Sequence, residues 1–157
     1  MKRLLAVCAA AGLAILMCAA IADDSVTREA EKRVADEINA RREEYGAPPL
    51  VVNWQLARAA RYKAEDMRDS GRLGHRSLRY GTPADMLTAF HIPFRALGEV
   101  VAAGQIAPED AVAAWMASEV NRASILSEDF TEIGVGYAPG DGGRWVAILL
   151  ENDGKGE

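Results

Sequence analysis

The sequence predicts an α+β fold in which helices flank a small antiparallel sheet, as a layered sandwich. Three observations carry this. Residues 26–38 and 56–67 repeat apolar side chains at helical spacing. Residues 133–137 alternate bulky side chains with glycine, the two-residue period of a strand. Residues 144–151 are apolar on both faces, as a strand covered from both sides must be. Helices precede and flank the strands, which suggests an α+β sandwich of layers, and the chain carries no internal repeat.

Ahead of the first element, Met1-Lys2-Arg3 is basic and Leu4 to Ala22 is uncharged. Ala20-Ile21-Ala22 before Asp23-Asp24 then has the small-x-small pattern of an export cleavage site. Residues 1–22 are therefore expected to be a signal peptide, and 23–157 one exported domain, secreted or held in the periplasm or cell envelope. Two alternatives stay open. The uncharged run approaches the lower limit of a membrane span, so it could be kept as an anchor. Cys18 could carry a lipid, although Met17 is bulky where such signals place a small residue. After cleavage no membrane span is expected.

Both cysteines, Cys8 and Cys18, fall in the leader, so the domain has no disulfide and no cysteine-based zinc site. Its length suffices to bury about two-thirds of the unfolded surface without such staples. The formal net charge of −5, without a basic run, argues against nucleic acid as a partner.

The first helix carries Val26, Ala30, Val34 and Ile38 as its stripe, with Ser25 as candidate N-cap and Gly46 as stop. Pro48-Pro49 forbids helix and Leu50-Val51-Val52 runs extended to Asn53, a good cap. The second helix buries Leu56, Ala60, Ala64 and Met67, turns its charged residues outward and stops at Gly71. Gly71 to Gly81 reads as a loop around His75, and Thr82-Pro83 starts a short third helix to about Phe90. "LGEVVAAGQ" is β-branched and bounded by glycine, hence a strand. Pro108 opens the fourth helix, whose Glu109 and Asp110 complement the dipole and whose Val112, Trp115 and Met116 face inward. Ile133, Val135 and Tyr137 give the next strand one bulky face, while Gly134 and Gly136 leave the other bare, so that a helix or loop can approach it closely. "PGDGG" turns into Arg144–Glu151, and Asn152 to Glu157 is expected to fray. Trp54, Trp115 and Trp145 are expected core anchors.

Candidate chemistry is sparse. There is no H-E-x-x-H, G-x-S-x-G, phosphate loop or dinucleotide fingerprint. His75 lies in a polar loop, where an imidazole can act as acid, base or ligand or be an ordinary surface residue. His91, in "AFHIPF", has packing or a helix end as its default. Glu99 sits among apolar neighbours, so if its strand is covered it must find a donor or shift its pKa upward. Asp85, in a first helical turn, is explained as a dipole-complementing group, and other carboxylates of the first two helices as a solvated face.

Several phrases then add up. "INARREEYGAPPLVVNWQLARAARYKAEDM", "GHRS", "GTPADML", "LGEVVAAGQIAPEDAVAAWMAS", "NRASIL" and "FTEIGVGYAPGDGGRWVAILL" resemble, in order and spacing, the bacterial branch of the CAP superfamily. That superfamily comprises cysteine-rich secretory proteins, antigen 5 and pathogenesis-related type 1 proteins. The resemblance covers about Val34 to Leu150. It implies a three-layer α-β-α sandwich with a cleft lined by two histidines and two acids. His75 matches the first histidine, Asp85 the acid of "P-x-D-R", here "PADM", and Glu99 that of "G-E-N", here "GEV". Asn121 stands where "S-P-G-H-R" supplies the second histidine. "MASEVNRASIL" lacks the usual proline and glycine, so the fourth helix is expected to be able to run on through Asn121.

One imidazole, two acids and an amide make a poor zinc site, and a calcium site would want more oxygens, so no cofactor is expected and any metal would rest on His75 and Glu99. The preferred reading is a hydrogen-bonded cluster of His75, Asp85, Glu99 and Asn121. Its functions, in order of preference, are a secreted binding module for a lipid, glycan or peptide; a hydrolase with Glu99 or Asp85 as base and His75 as acid; and a scaffold without activity.

Overall fold

The computed structural model describes residues 24–104, 107–140 and 142–151. The expected signal peptide, the start at Asp23 and the frayed tail lie outside the described residues. Helix α1 covers 24–44. Ser25 is inside it rather than capping it, because Asp24 is already helical. Its far end closes as expected: Gly46 takes φ 77°, and the Gly46 and Ala47 amides donate to Glu43 O at 3.0 Å and Arg42 O at 2.8 Å. Two orphan carbonyls are satisfied by this glycine-dependent turn.

Strand β1, Val51–Val52, leads to α2, Trp54–Ser70, capped by the Asn53 side chain, which accepts from the Gln55 and Leu56 amides. Then follow α3, Pro83–Ala89, and β2, Ala96–Ala103. Next come α4, Pro108–Ala117, and α5, Glu119–Leu126. Strands β3, Glu132–Ala138, and β4, Arg144–Glu151, complete the order. The sheet runs β1-β3-β4-β2. Its three long strands are antiparallel, and β1 adds a short parallel edge beside β3.

Strand β4 shows why the sheet needs layers on both sides. Trp145, Ala147 and Leu149 enter one core with Val34, Ile38, Val112, Trp115 and Ile125 of α1, α4 and α5. Val146, Ile148 and Leu150 enter the other with Leu56, Ala60, Met67 and Leu87 of α2 and α3. This is the three-layer α-β-α sandwich the sequence predicts, with β4 central. The bare face of β3 lies under α2: a Cβ built on Gly134 would sit 2.2 Å from the Leu56 carbonyl carbon, and one on Gly136 2.2 Å from that of Ala60.

Three further expectations change. The fourth helix does not run on, because Ser118 is extended at φ −87°, ψ 124° and separates α4 from α5. The break is held without proline or glycine by Arg122, whose Nη1 donates to Met116 O at 3.0 Å and whose amide donates to Ser118 O at 2.8 Å. Both Trp115 and Ile125 can then enter the same core. Trp54 is no anchor: at the first position of α2 its ring is 67% exposed and rests against Arg58, 5.7 Å away. Nor are all acids of α1 and α2 solvated. Glu31 is buried against Arg61 and the Tyr137 amide, and Asp66 is buried beneath the loop that follows α2.

Candidate functional site

Residues 71–81 form the predicted loop, and α2 holds it from below. Lys63 and Asp66 fall on the inner face of α2, in phase with Ala59, Ala60 and Met67, and both are buried. Lys63 Nζ donates to His75 O at 2.9 Å. Asp66 Oδ2 accepts from Ser77 Oγ at 2.8 Å and from the Leu78 amide at 3.0 Å. Ser77 Oγ in turn accepts from the amides of Arg79 and Tyr80. Backbone bonds between Ser77 and Gly81 close the loop at its base. Burial lowers the Lys63 pKa, opposed by the nearby Glu99 and Asp66 charges.

This loop sets His75 over Glu99. Glu99 lies on β2 opposite Ile148. Cross-strand partners share a face, so its side chain points to the α2 side, where Ile148 packs. The carboxyl is 2% exposed, and Oε1 is 2.9 Å from His75 Nδ1. Oε2 is buried with no hydrogen-bond partner among the described residues. Burial pushes the Glu99 pKa above its ordinary value, and the His75 hydrogen bond and the Lys63 charge pull the other way. Burial dominates because a carboxylate in low dielectric loses solvation that two partners only partly replace.

The imidazole is 59% exposed and opens, through residues 72–78 and Gly81, onto a cleft of about 490 Å³. Nδ1 is engaged by Glu99 whichever of the two holds the shared proton, and Nε2 is left to meet whatever enters.

The other two candidates are placed differently. Asp85 is the third residue of a capping box: its Oδ2 accepts from the Thr82 amide at 2.9 Å and from Thr82 Oγ1 at 2.8 Å. These bonds, the backbone one first, hold its pKa below the ordinary value. It lies just behind the cleft wall, since a Cβ on Gly81 would come within 2.6 Å of its Oδ2. Asn121 sits on α5, in the layer across the sheet from α2. Its side chain makes no hydrogen bond with His75, Glu99 or Asp85 among the described residues. No group of three or more His, Cys, Asp or Glu among the described residues is arranged to hold a metal ion. His91 ends α3 as its default reading had it: at φ 57° it takes the left-handed turn position, and the Ile92 amide reaches back to Leu87 O at 2.9 Å.

Lys63, Asp66 and Ser77 were not legible as site residues. The signal was present in the helical phase of Lys63, three residues past Ala60 and four before Met67, where a charge must be buried with a partner.

Comparison with known proteins gives the geometry its setting. A family model described as the cysteine-rich secretory protein family, CAP, matches residues 35–149. The uncharacterized protein YkwD of Bacillus subtilis is 44% identical over 120 residues, covering 76% of this chain and 46% of that protein. An extracellular protein containing an SCP domain from Bacillus anthracis shares the fold with TM-score 0.75 and 28% identity, over 81% of this chain and 42% of that one. An outer surface protein of Borrelia burgdorferi has TM-score 0.75 at 20% identity, over 81% of this chain and 96% of its own. The chain therefore spans less than half the length of the curated relatives it matches.

Proposed function

This chain belongs to the cysteine-rich secretory protein, or CAP, family, and from that premise we propose that it is an exported, non-catalytic binding module whose His75–Glu99 cleft holds a lipid, glycan or peptide ligand. The observation that carries the reading is the pair itself. A half-exposed imidazole is oriented by a buried carboxyl 2.9 Å away, at the floor of an open cleft. Such a pair fixes the tautomer and direction of Nε2, which is what recognition of a polar ligand group needs. The extracellular and outer-surface descriptions of two structural relatives support export. No described helix is long and apolar enough to cross a membrane.

An oriented His–Glu pair also suits general base catalysis, and this favours a hydrolase as the second reading. Against it, Asp85 is already engaged by Thr82, and the hydroxyl nearest His75 in sequence, Ser77, is spent on Asp66. A metal would have only His75 and Glu99 to hold it, too few donors for zinc. Native mass spectrometry of the protein recovered from its own secretions tests the proposal: a co-purifying ligand is expected in the wild type and absent in His75→Ala. Turnover of general peptidase or ester substrates that disappears in Glu99→Gln would instead establish the enzyme.

A further inference from the structure

The two edges of the sheet are finished differently. Along β3, β1 pairs at Val51 and Val52, and beyond it the buried Glu31 carboxylate accepts from the Tyr137 amide at 3.0 Å. That edge is closed. The opposite edge is β2. Backbone groups of successive residues point to alternate sides of a strand. The Ile133 carbonyl and the Tyr137 amide face away from β4, so Gly134 and Gly136 face it. Carried through β4, the alternation turns Gly98, Val100 and Ala102 toward β4 and the amides and carbonyls of Leu97, Glu99, Val101 and Ala103 outward. Bonds at the two ends agree: the Gly104 amide reaches back to Gly142 and Gly143, and the Glu151 carbonyl accepts from Arg95. No hydrogen bond from the described residues meets the outward groups, and their residues are only partly buried. The strand holds neither the proline nor the lysine that guards a sheet edge. Its one charge, Glu99, is turned to His75.

We infer that β2 is the docking edge for a second copy of this chain, its β2 laid antiparallel across a two-fold axis to continue the sheet. Two features select a copy over another partner. In the register that sets Leu97 opposite Ala103 and Glu99 opposite Val101, every outward group on both strands is matched, in about eight backbone hydrogen bonds. The ends of the strand are also opposite in charge. Exposed Arg95 precedes it, and Glu109 and Asp110 follow it in the first turn of α4. Antiparallel pairing brings the basic end of each copy toward the acidic end of the other. A ladder of this length buries an area at the low end of specific interfaces, which makes the pair reversible. The inference does not rest on what the cleft holds. Opposite residues share a face, so both His75–Glu99 pairs come to lie on one side of the joined sheet.

Sedimentation equilibrium of the full chain from about 5 to about 500 μM, the range suited to a small interface, tests it. The mass is expected to rise from monomer to dimer and stop there. Val101→Pro removes an outward amide and spares the β4 ladder, and Ala103→Lys puts a charge on the edge. Each, folding like the wild type by thermal melting, should weaken the dimer at least about tenfold. Val51→Lys, on the other edge, should leave it unchanged. Amide exchange supplies a second reading that needs no variant. The amides of Leu97, Glu99, Val101 and Ala103 should exchange at least about tenfold more slowly at the higher concentration, while those of Val100 and Ala102 are slow at both. A monomer throughout, growth beyond the dimer, or a dimer kept in both β2 variants overturns the inference. Exchange at the outward amides that ignores concentration, whether fast or slow, does the same.

Discussion

Glu99 is the residue on which the site turns, because it is a carboxyl buried beside one hydrogen-bond partner and one buried amine. Its pKa is raised, chiefly by burial. Between the ordinary glutamate value, about 4.3, and the raised one, the folded chain keeps a proton that the unfolded chain has released. Stability therefore falls as pH rises through that window and levels off above it. Glu99→Gln removes this dependence. The stability of the variant relative to wild type should improve as pH rises from about the ordinary glutamate value through that window, as read by denaturant unfolding at each pH. A constant difference would show that the carboxyl is not held neutral by its surroundings. Asp85 works in the opposite sense, with a lowered pKa set by Thr82, and it is common to both proteins, so it cancels in the comparison.

Among the elements, β3 and α2 decide how closely the layers approach. Gly134 and Gly136 let the α2 backbone lie directly on the strand, and no side chain fits between. Gly134→Ala, with its Cβ 2.2 Å from backbone, is expected to cost about 3 kcal/mol or more in equilibrium unfolding, at or above the upper end of ordinary overpacking. Retained stability would mean that α2 can lift off the sheet. The bare face of β3 was legible in the sequence, as were the Asn53 cap, the Gly46 and Gly71 stops and the two-faced β4, because each depends on neighbours within a few residues; that α2 is the element lying on that face was not, since Gly134 and Leu56 are far apart in the chain. The break at Ser118 was not, since it depends on an Arg122 side chain reaching back to Met116 rather than on a helix-breaking residue. Exposure of Trp54 escaped for a related reason: position one of a helix has no fixed face until its neighbours are placed. Within the site, the pairing of His75 with Glu99 follows from the family resemblance, whereas the support from Lys63 and Asp66 required coordinates. Charge in those two residues masked their place on the inner stripe.

At the scale of the whole molecule, two cores lie on either side of one sheet, and residues 24–151 contain no cysteine that could staple them. Its cleft is lined by the loop that α2 pins from beneath, with Glu99 of the edge strand β2 behind His75. With one imidazole and one buried carboxyl brought together, zinc at about tenfold excess is expected to leave the melting temperature within about 1 °C, since a ligand raises it only by binding the folded state. A rise of several degrees, abolished in His75→Ala, would assign the cleft to metal. The most direct test of ligand recognition uses the presence of only two histidines in the chain. Imidazole nitrogen resonances can be followed by NMR as ligand-stripped protein is reloaded with material extracted from the secreted form, with His91→Gln supplying the assignment. The account predicts that the Nε2 resonance of His75 shifts while those of His91 stay in place; an unmoved His75, or equal movement of both, would contradict it.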